Sequence, residues 1–373
     1  MKNKIIVIAS VLKPLDDPRH YERFALSLAK TNKYEINIIA NGEKKQSEPQ
    51  ITFHSNGNFK NRKGILHRIK LQFQSFRSIY KLRPQLIITC SLDLLPWIFL
   101  YRLIRRCKVI YDVQENYQLN VRQLADYGWT AKVRIPFIRL IEYLSSQFID
   151  HYFLAEKCYT EQLKFLTKNH TVLENKTVLI QSIPRRKSIG KNRVLNILFS
   201  GTISHYSGIE IIYQIILQLA QQNIDYSLTI IGQVHDINIY KNLKNLDDER
   251  IKIIVDRKPI DHQKIISEIR QADLGLITYQ PNVVNEQKVP TKLYEYTTYQ
   301  LPYLIQEGSH WAHVGQRLGG AIPVSFDHID FRKILDQLRN SLSHQKTSIQ
   351  KNSQWLQEEV QLTSTIDTLL KQS

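Results

Sequence analysis

The run Val289-Pro290-Thr291-Lys292-Leu293-Tyr294-Glu295-Tyr296, followed by Gln300-Leu301-Pro302, holds an amine and a carboxylate at short spacing. Lys292 and Glu295 stand at i and i+3, so a helix places them on one face near its N-terminus. They read either as a surface ion pair or as a divided site. In the second case the ammonium meets a diphosphate and the carboxylate accepts hydrogen bonds from a ribose diol. A second segment, Ser200-Gly201-Thr202-Ile203-Ser204-His205-Tyr206-Ser207-Gly208, runs from an apolar stretch through two glycines into Ile209-Glu210. Glycine permits close backbone approach, and a helix N-terminus offers free N–H groups to a phosphate. The spacing is neither Gly-x-Gly-x-x-Gly nor a Walker loop, so a plain strand–helix turn reads equally well.

Two further segments lie in the first half. Leu15-Asp16-Asp17-Pro18-Arg19-His20 follows the first apolar run, although Asp-Pro is also an ordinary helix-start signal. Tyr111-Asp112-Val113-Gln114-Glu115-Asn116 closes another apolar run. The three cysteines (Cys90, Cys107 and Cys158) are too widely spaced for a disulfide framework or a zinc pattern. They fit a reducing, cytoplasmic setting.

Positioning these segments requires a scaffold, and the chain's 373 residues allow two ordinary domains. With 42% hydrophobic and 23% charged residues, disordered and fibrous classes are excluded. No apolar run reaches the roughly 18 residues of an obvious membrane-spanning helix. Met1–Lys4 is basic, but the apolar run after it is short and reads as a first strand, not a signal peptide. Ile5–Ala9 is wholly apolar, as a parallel strand buried on both faces requires. Patterning predicts a helix over Tyr21–Lys30 and strands at Glu35–Ala40, Leu86–Thr89, Val109–Asp112, Tyr152–Leu154 and Val178–Ile180. Between them fall a basic helix, a Trp97–Arg106 helix and a long apolar helix around Ile135–Phe148.

Pro184–Asn192 is polar and aperiodic, and reads as a linker. The pattern then restarts, with strands predicted at Leu195–Phe199, Ser227–Ile231, Ile251–Val255, Leu274–Thr278, Pro302–Ile305 and Ala321–Val324. Helices are expected at Ile209–Gln221 and over the closing Ser353–Leu370. Such alternation implies doubly wound parallel sheets, with ligands at the carboxyl ends of the strands. The expected division is 1–184, 185–352 and a closing crossover helix over 353–373.

The charge is lopsided. Fifty-one Lys and Arg against 34 Asp and Glu give +17; residues 1–185 carry 30 basic and 15 acidic, and residues 186–373 carry 21 and 19. Phe59–Arg83 contains Lys60, Arg62, Lys63, Arg68, Lys70, Arg77, Lys81 and Arg83 and no acid. Leu66, Ile69, Phe73, Phe76, Ile79 and Tyr80 interleave at roughly helical spacing. This face suits an anionic membrane, with Arg62, Lys63, Arg68 and Lys70 toward the headgroups, or else is simply solvated. Nucleic acid is disfavoured, since no zinc finger, RRM-like signature or Gly-rich RNA-binding loop accompanies the charge.

Taken together, the four segments resemble glycosyltransferase family 4, the retaining nucleotide-sugar enzymes of the GT-B fold, in surface-polysaccharide assembly. Asp16–Arg19 matches the family's Asp-Asp-Pro-Arg loop, and Tyr111–Glu115 its Tyr-Asp-x-His-Glu. Gly201–Gly208 resembles Gly-x-Ile-Ser-x-x-x-Gly, and Pro290–Pro302 resembles Pro-x-Lys-Leu-x-Glu-Tyr with its following Leu-Pro. Ser91–Pro96 is similar to the family's Asp-Leu-Asp-Leu-Leu-Pro.

The resemblance implies an α/β chain of two Rossmann-like domains facing a central cleft, the C-terminal helix packing back toward the first. It implies donor contacts at Gly201, Thr202, Ser207, Gly208, Pro290, Thr291, Lys292 and Glu295. Glu286, Asp17, Arg19 and Glu115 are the implied catalytic groups, with Gln114 also lining the cleft. A nucleoside-diphosphate sugar, by default a UDP-sugar, and a lipid-linked or glycan acceptor are the implied partners. No cofactor or metal is implied, because protein cations neutralise the leaving diphosphate. Peripheral attachment to the inner face of a bacterial plasma membrane follows.

Departures run from charged to neutral. Thr202 and Ser207 stand where the family usually has basic residues. The paired-glutamate spacing lands on Gln287, with Glu286 one position off. Gln114 replaces a cleft histidine, and Cys90-Ser91 replaces a His-Asp pair. An inactive GT-B scaffold in the same pathway is therefore the alternative, and a sugar-nucleotide epimerase the third reading.

Overall fold

A computed structural model of the chain describes residues 3–43, 46–57, 65–123, 128–166, 169–179, 181–183, 193–282, 285–341 and 351–371. The chain divides into two compact units, Met1–Asn175 with Trp355–Ser373, and Lys176–Gln354. In the first, strands β1 (Lys4–Pro14), β2 (Tyr34–Asn41), β3 (Ile51–Ser55), β4 (Leu86–Thr89), β5 (Lys108–Val113), β6 (His151–Leu154) and β7 (His170–Val172) form one sheet. Its order is β3-β2-β1-β4-β5-β6-β7, parallel throughout. Leu86-Ile87-Ile88-Thr89 is buried at every position, as a strand covered on both faces must be.

The second unit carries β8 (Leu195–Ser200), β9 (Tyr226–Gln233), β10 (Ile251–Asp256), β11 (Leu274–Ile277), β12 (Tyr303–Gln306) and β13 (Ala321–Val324). Their order is β10-β9-β8-β11-β12-β13, again all parallel. Strand order reverses between β1 and β4 in one sheet and between β8 and β11 in the other. At such a reversal the loops leaving the carboxyl ends diverge and open a crevice. All four chemistry-bearing segments sit at these ends.

Several elements differ from the sequence expectation. Val178–Ile180 is not a strand: Thr177 makes one isolated bridge to Gln354, Val178 and Leu179 have no strand structure, and Ile180 lies outside the described residues. Strands β3 and β7 were not expected. Both lie at sheet edges, where exposure lets Thr52, His54, His170 and Thr171 interrupt the apolar pattern. The helix expected from Tyr21 begins at Pro18: Pro18–Ala25 winds in wide i→i+5 turns and continues as Leu26–Ala29. Pro18 at the first position and the Asp17 side chain as N-cap explain the earlier start.

The closing helix, Leu356–Lys371, packs back on the first unit as expected. Just before it, the Trp355 indole N–H donates to the Ser27 hydroxyl at 3.1 Å, while Lys30–Glu359 and Lys33–Asp367 pair at 2.6 Å. Lys176–Gln181 go with the second unit, since Thr177 N–H donates to the Ser353 carbonyl at 2.9 Å and Arg270 to Gln181 Oε1 at 2.9 Å. The expected linker Pro184–Asn192 lies outside the described residues. Among those described, no helix is long and apolar enough to cross a membrane.

Candidate functional site

In the second unit, Lys292 lies on the short helix Thr291–Thr298, which follows the loop leaving β11. Only 4% of the residue is exposed. Its ammonium lies 4.9 Å from the centre of the Phe199 ring and 4.8 Å from that of Tyr279. Among the described residues no hydrogen-bond acceptor reaches Nζ. Cation–π contact offsets only about 2 kcal/mol when desolvated, well short of the cost of burying an unpaired charge. The two rings therefore leave most of its charge uncompensated.

Gly201, at φ +99° after β8, lies against this amine. A Cβ there would stand 2.7 Å from Lys292 Cε and 3.3 Å from Nζ. At the far end of the loop Gly208 has φ +77°, and a Cβ would meet the Thr278 carbonyl oxygen at 2.1 Å. Both positions favour glycine by their positive φ, and at Gly208 a Cβ would also clash with fixed backbone. Between them, Ser204 and Ser207 form a reciprocal cap: the Ser204 N–H donates to Ser207 Oγ at 2.9 Å, and the Ser207 N–H to Ser204 Oγ at 3.3 Å. Ser207 is buried, and its hydroxyl donates back to the Ser204 carbonyl at 2.8 Å. The side chain expected at the ligand is thus turned into the loop. Thr202 is exposed, as is Thr291, while Pro290 occupies the N-cap of its helix.

Glu295 shares the Thr291–Thr298 helix with Lys292 but turns to a different partner. His262 Nε2 lies 2.9 Å from Glu295 Oε1. The ion-pair reading of Lys292 and Glu295 gives way to two separate roles, a buried cation and a carboxylate oriented by an imidazole. Glu286 is exposed and lines a cavity of about 460 Å³ with Gln306, Glu307, Ser309, His310 and Trp311. Trp311 joins this cavity to the amine: its N–H donates to the Lys288 carbonyl at 2.6 Å, and its ring meets the Tyr279 ring edge-on at 6.0 Å.

In the first unit, Arg19 and Asp112 form the centre of a buried polar cluster. Arg19 Nε donates to both carboxylate oxygens of Asp112 at 3.0 and 2.9 Å, and Nη2 to Oδ1 at 2.7 Å. Nη1 donates to the Leu173 carbonyl at 2.7 Å and to Asn175 Oδ1 at 2.8 Å. Burial alone would raise the Asp112 pKa, but Arg19 overrides it and holds the carboxyl far below its usual range. Asp17 is also turned inward and accepts from the Arg19 and His20 N–H groups, both at 3.1 Å. Arg19, one of the catalytic groups the resemblance implies, is buried and ties Asp112 to Leu173 and Asn175. Glu115 is exposed and accepts from Asn120 at 2.6 Å.

Gln114, where the family has histidine, lies 3.0 Å from His20 Nε2 and donates to Asp112 at 2.7 Å. Burial opposes protonation of His20, but Cys90, Asp112 and Asp17 outweigh it and push its pKa up to about 10. An imidazole thus stands next to residue 114 but comes from the first turn of the Pro18–Ala25 helix. Of the expected membrane-facing residues, Arg62 and Lys63 lie outside the described residues. Arg68 is paired with Asp93, and Lys70 is exposed.

Sequence reading named neither His262, His20, Phe199 nor Tyr279 as site residues. His20 closes the Leu15–His20 segment, so its position was legible in the sequence. His262 carried no signal, being 33 positions from Glu295 and looking like an ordinary helix start after Asp261.

No protein-family model matches the chain, and no curated protein matches its sequence. Solved structures do match its fold. A sucrose-phosphate synthase from Thermosynechococcus elongatus superposes with a TM-score of 0.70 at 12% identity, covering 100% of both chains. Anabaena HepE, solved with UDP and glucose, gives 0.61 at 13%, covering 98% of this chain and 100% of that one. A putative UDP-N-acetylglucosamine 2-epimerase from Listeria monocytogenes gives 0.57 at 11%, covering 100% of this chain and 98% of that one. The architecture is the GT-B fold.

Proposed function

We propose that this chain is a retaining, metal-independent glycosyltransferase. It takes a sugar from a nucleoside-diphosphate sugar, UDP first among candidates, to a lipid-linked or oligosaccharide acceptor in bacterial capsule, lipopolysaccharide or exopolysaccharide assembly. The observation that carries this reading is the buried Lys292 ammonium, packed against Gly201 on the loop leaving β8 and without an oxygen partner among the described residues. A diphosphate supplies that oxygen. As the glycosidic bond to phosphate breaks, negative charge grows on the departing diphosphate, and a fixed cation in a dry site stabilises it more than water would.

Glu295, oriented by His262, accepts hydrogen bonds from the ribose diol. Glu286, in the cavity beside Trp311, takes the sugar side. In the first unit Asp17, Gln114 and Glu115 belong to the acceptor side, and Arg19 positions their loops. Retention places the acceptor hydroxyl on the face the leaving phosphate departs from, with a phosphate oxygen receiving its proton.

The test is thermal stabilisation by UDP, GDP and their sugar conjugates, followed by product analysis. A ligand at a hundred times its dissociation constant adds about 2.7 kcal/mol of stability. One nucleotide is expected to shift the melting temperature, and Lys292→Gln to abolish the shift. No shift with any nucleotide overturns the donor site. A shift without transfer to any acceptor favours the scaffold, and conversion of UDP-N-acetylglucosamine without acceptor favours an epimerase.

A further inference from the structure

Three helices of the first unit, Ile65–Leu82, Leu95–Ile104 and Gly128–Ser146, share one side of its sheet. The first two bury Leu71, Ile79, Leu95 and Ile98 in one core cluster, and Ile141 of the third packs against the same cluster. Phe73 and Phe76 meet Trp97 at 6.0 and 5.3 Å, which sets the first two helices side by side. Arg102 of the second pairs with Asp150 at 2.7 Å, just beyond the third. Their opposite faces therefore point the same way, out of the unit.

Those outer faces are apolar. On the first helix Leu66, Ile69, Phe73 and Tyr80 fall within about 60° of arc at 100° per residue, with Leu66 80% exposed. The second exposes Phe99, Leu100, Leu103 and Ile104, and the third Phe137, Leu140, Tyr143 and Leu144, with Leu103 at 68% and Phe137 at 62%. Single exposed apolar residues are ordinary, but three adjacent stripes are not.

Lys70, Arg77 and Lys81 flank the first stripe and are exposed. The three helices contain a single acid, Glu142, and it is buried. Nearby acids are already engaged, Asp93 by Arg68 and Asp150 by Arg102. A second copy of the chain docking here by two-fold symmetry would set cation against cation. An anionic bilayer instead accepts both the apolar ridge and the cations.

We propose that this three-helix face lies in the headgroup region of an anionic membrane, its apolar stripes entering the acyl boundary and Lys70, Arg77 and Lys81 at the phosphates. Arg68, tied to Asp93, takes no part. The surface is independent of the donor site, so its test uses no nucleotide and its failure leaves the transferase reading untouched.

The full chain is mixed with vesicles of phosphatidylcholine alone, or of phosphatidylcholine with phosphatidylglycerol, and sedimented. Binding to the anionic vesicles only, weakening with salt, is expected. The triple variant Lys70→Gln, Arg77→Gln, Lys81→Gln should bind about 100-fold more weakly, three cations being lost from the surface. Phe137→Ser with Leu140→Ser should cost at least about tenfold through lost apolar insertion. These side chains are exposed, so unchanged circular dichroism is expected of both variants. Equal binding by variants and parent, or no binding by the parent, overturns the proposal. So does a dimer in solution that the Phe137/Leu140 variant dissolves while vesicles remain unbound.

Discussion

Lys292 fills the space that a side chain at residue 201 would take: a Cβ on Gly201 would stand 2.7 Å from Lys292 Cε. The two residues come from separate strand–helix connections, yet each dictates the other. The missing Cβ at residue 201 admits the lysine, which Phe199 and Tyr279 hold with no acceptor on its ammonium among the described residues.

Gly201→Ala should therefore damage the donor site more than the fold. The positive φ and the forced movement of Lys292 predict a stability loss of about 1–3 kcal/mol. The UDP dissociation constant is expected to rise more than tenfold. Isothermal titration beside a urea melt separates the two, and unchanged nucleotide affinity would refute the role given to this contact.

Arg19 and Asp112 are both buried, so breaking their pair leaves a stranded charge. Arg19→Met is expected to destabilise the first unit by about 3–5 kcal/mol. The double variant Arg19→Met, Asp112→Asn should recover part of that loss, because residue 112 then carries no charge to strand. Urea midpoints of the two single variants and the double variant give the coupling directly. Additive losses would mean that the pair does not act as a unit.

His20 supplies a pH signature. Its folded-state pKa is raised from 6.5 to about 10, so its stabilising share is complete below pH 6.5 and is lost as pH rises through about 10. Compared with His20→Gln, the parent chain should show its largest advantage near pH 6 and progressively less by pH 9.5. A constant gap across that window would show that His20 is not charged in the fold.

His262 acts through Glu295. His262→Gln is expected to raise the UDP dissociation constant about fivefold, roughly the worth of one hydrogen bond to a charged group lost in part. Glu295→Ala should do more, and adding His262→Gln to it should do nothing further. Titration calorimetry of the double variant decides the matter, since additive effects would give His262 a contact of its own.

Fold type was written locally. All-apolar runs such as Ile6–Ala9 and Leu86–Ile88 read as buried parallel strands, and their alternation with helical patterns points to doubly wound units. The same period-based logic located the Gly201 and Lys292 segments and the outward stripe of the first basic helix. It failed at β3 and β7, whose edge positions relax the apolar requirement, and at Val178, where an apolar run pairs with no strand.

Partnership is what sequence alone left open. Nothing in the spacing of Lys292 and Glu295 says that one finds two aromatic rings and the other a histidine from a different helix. Nor does the Asp16-Asp17-Pro18-Arg19 segment reveal that its arginine is consumed by Asp112 and the residues beyond β7. Periodicity records which face of an element is buried, because burial acts on each residue separately. Which side chains meet across 93 or 33 positions is set by how the strands are ordered in the sheet, and only the folded chain decides that.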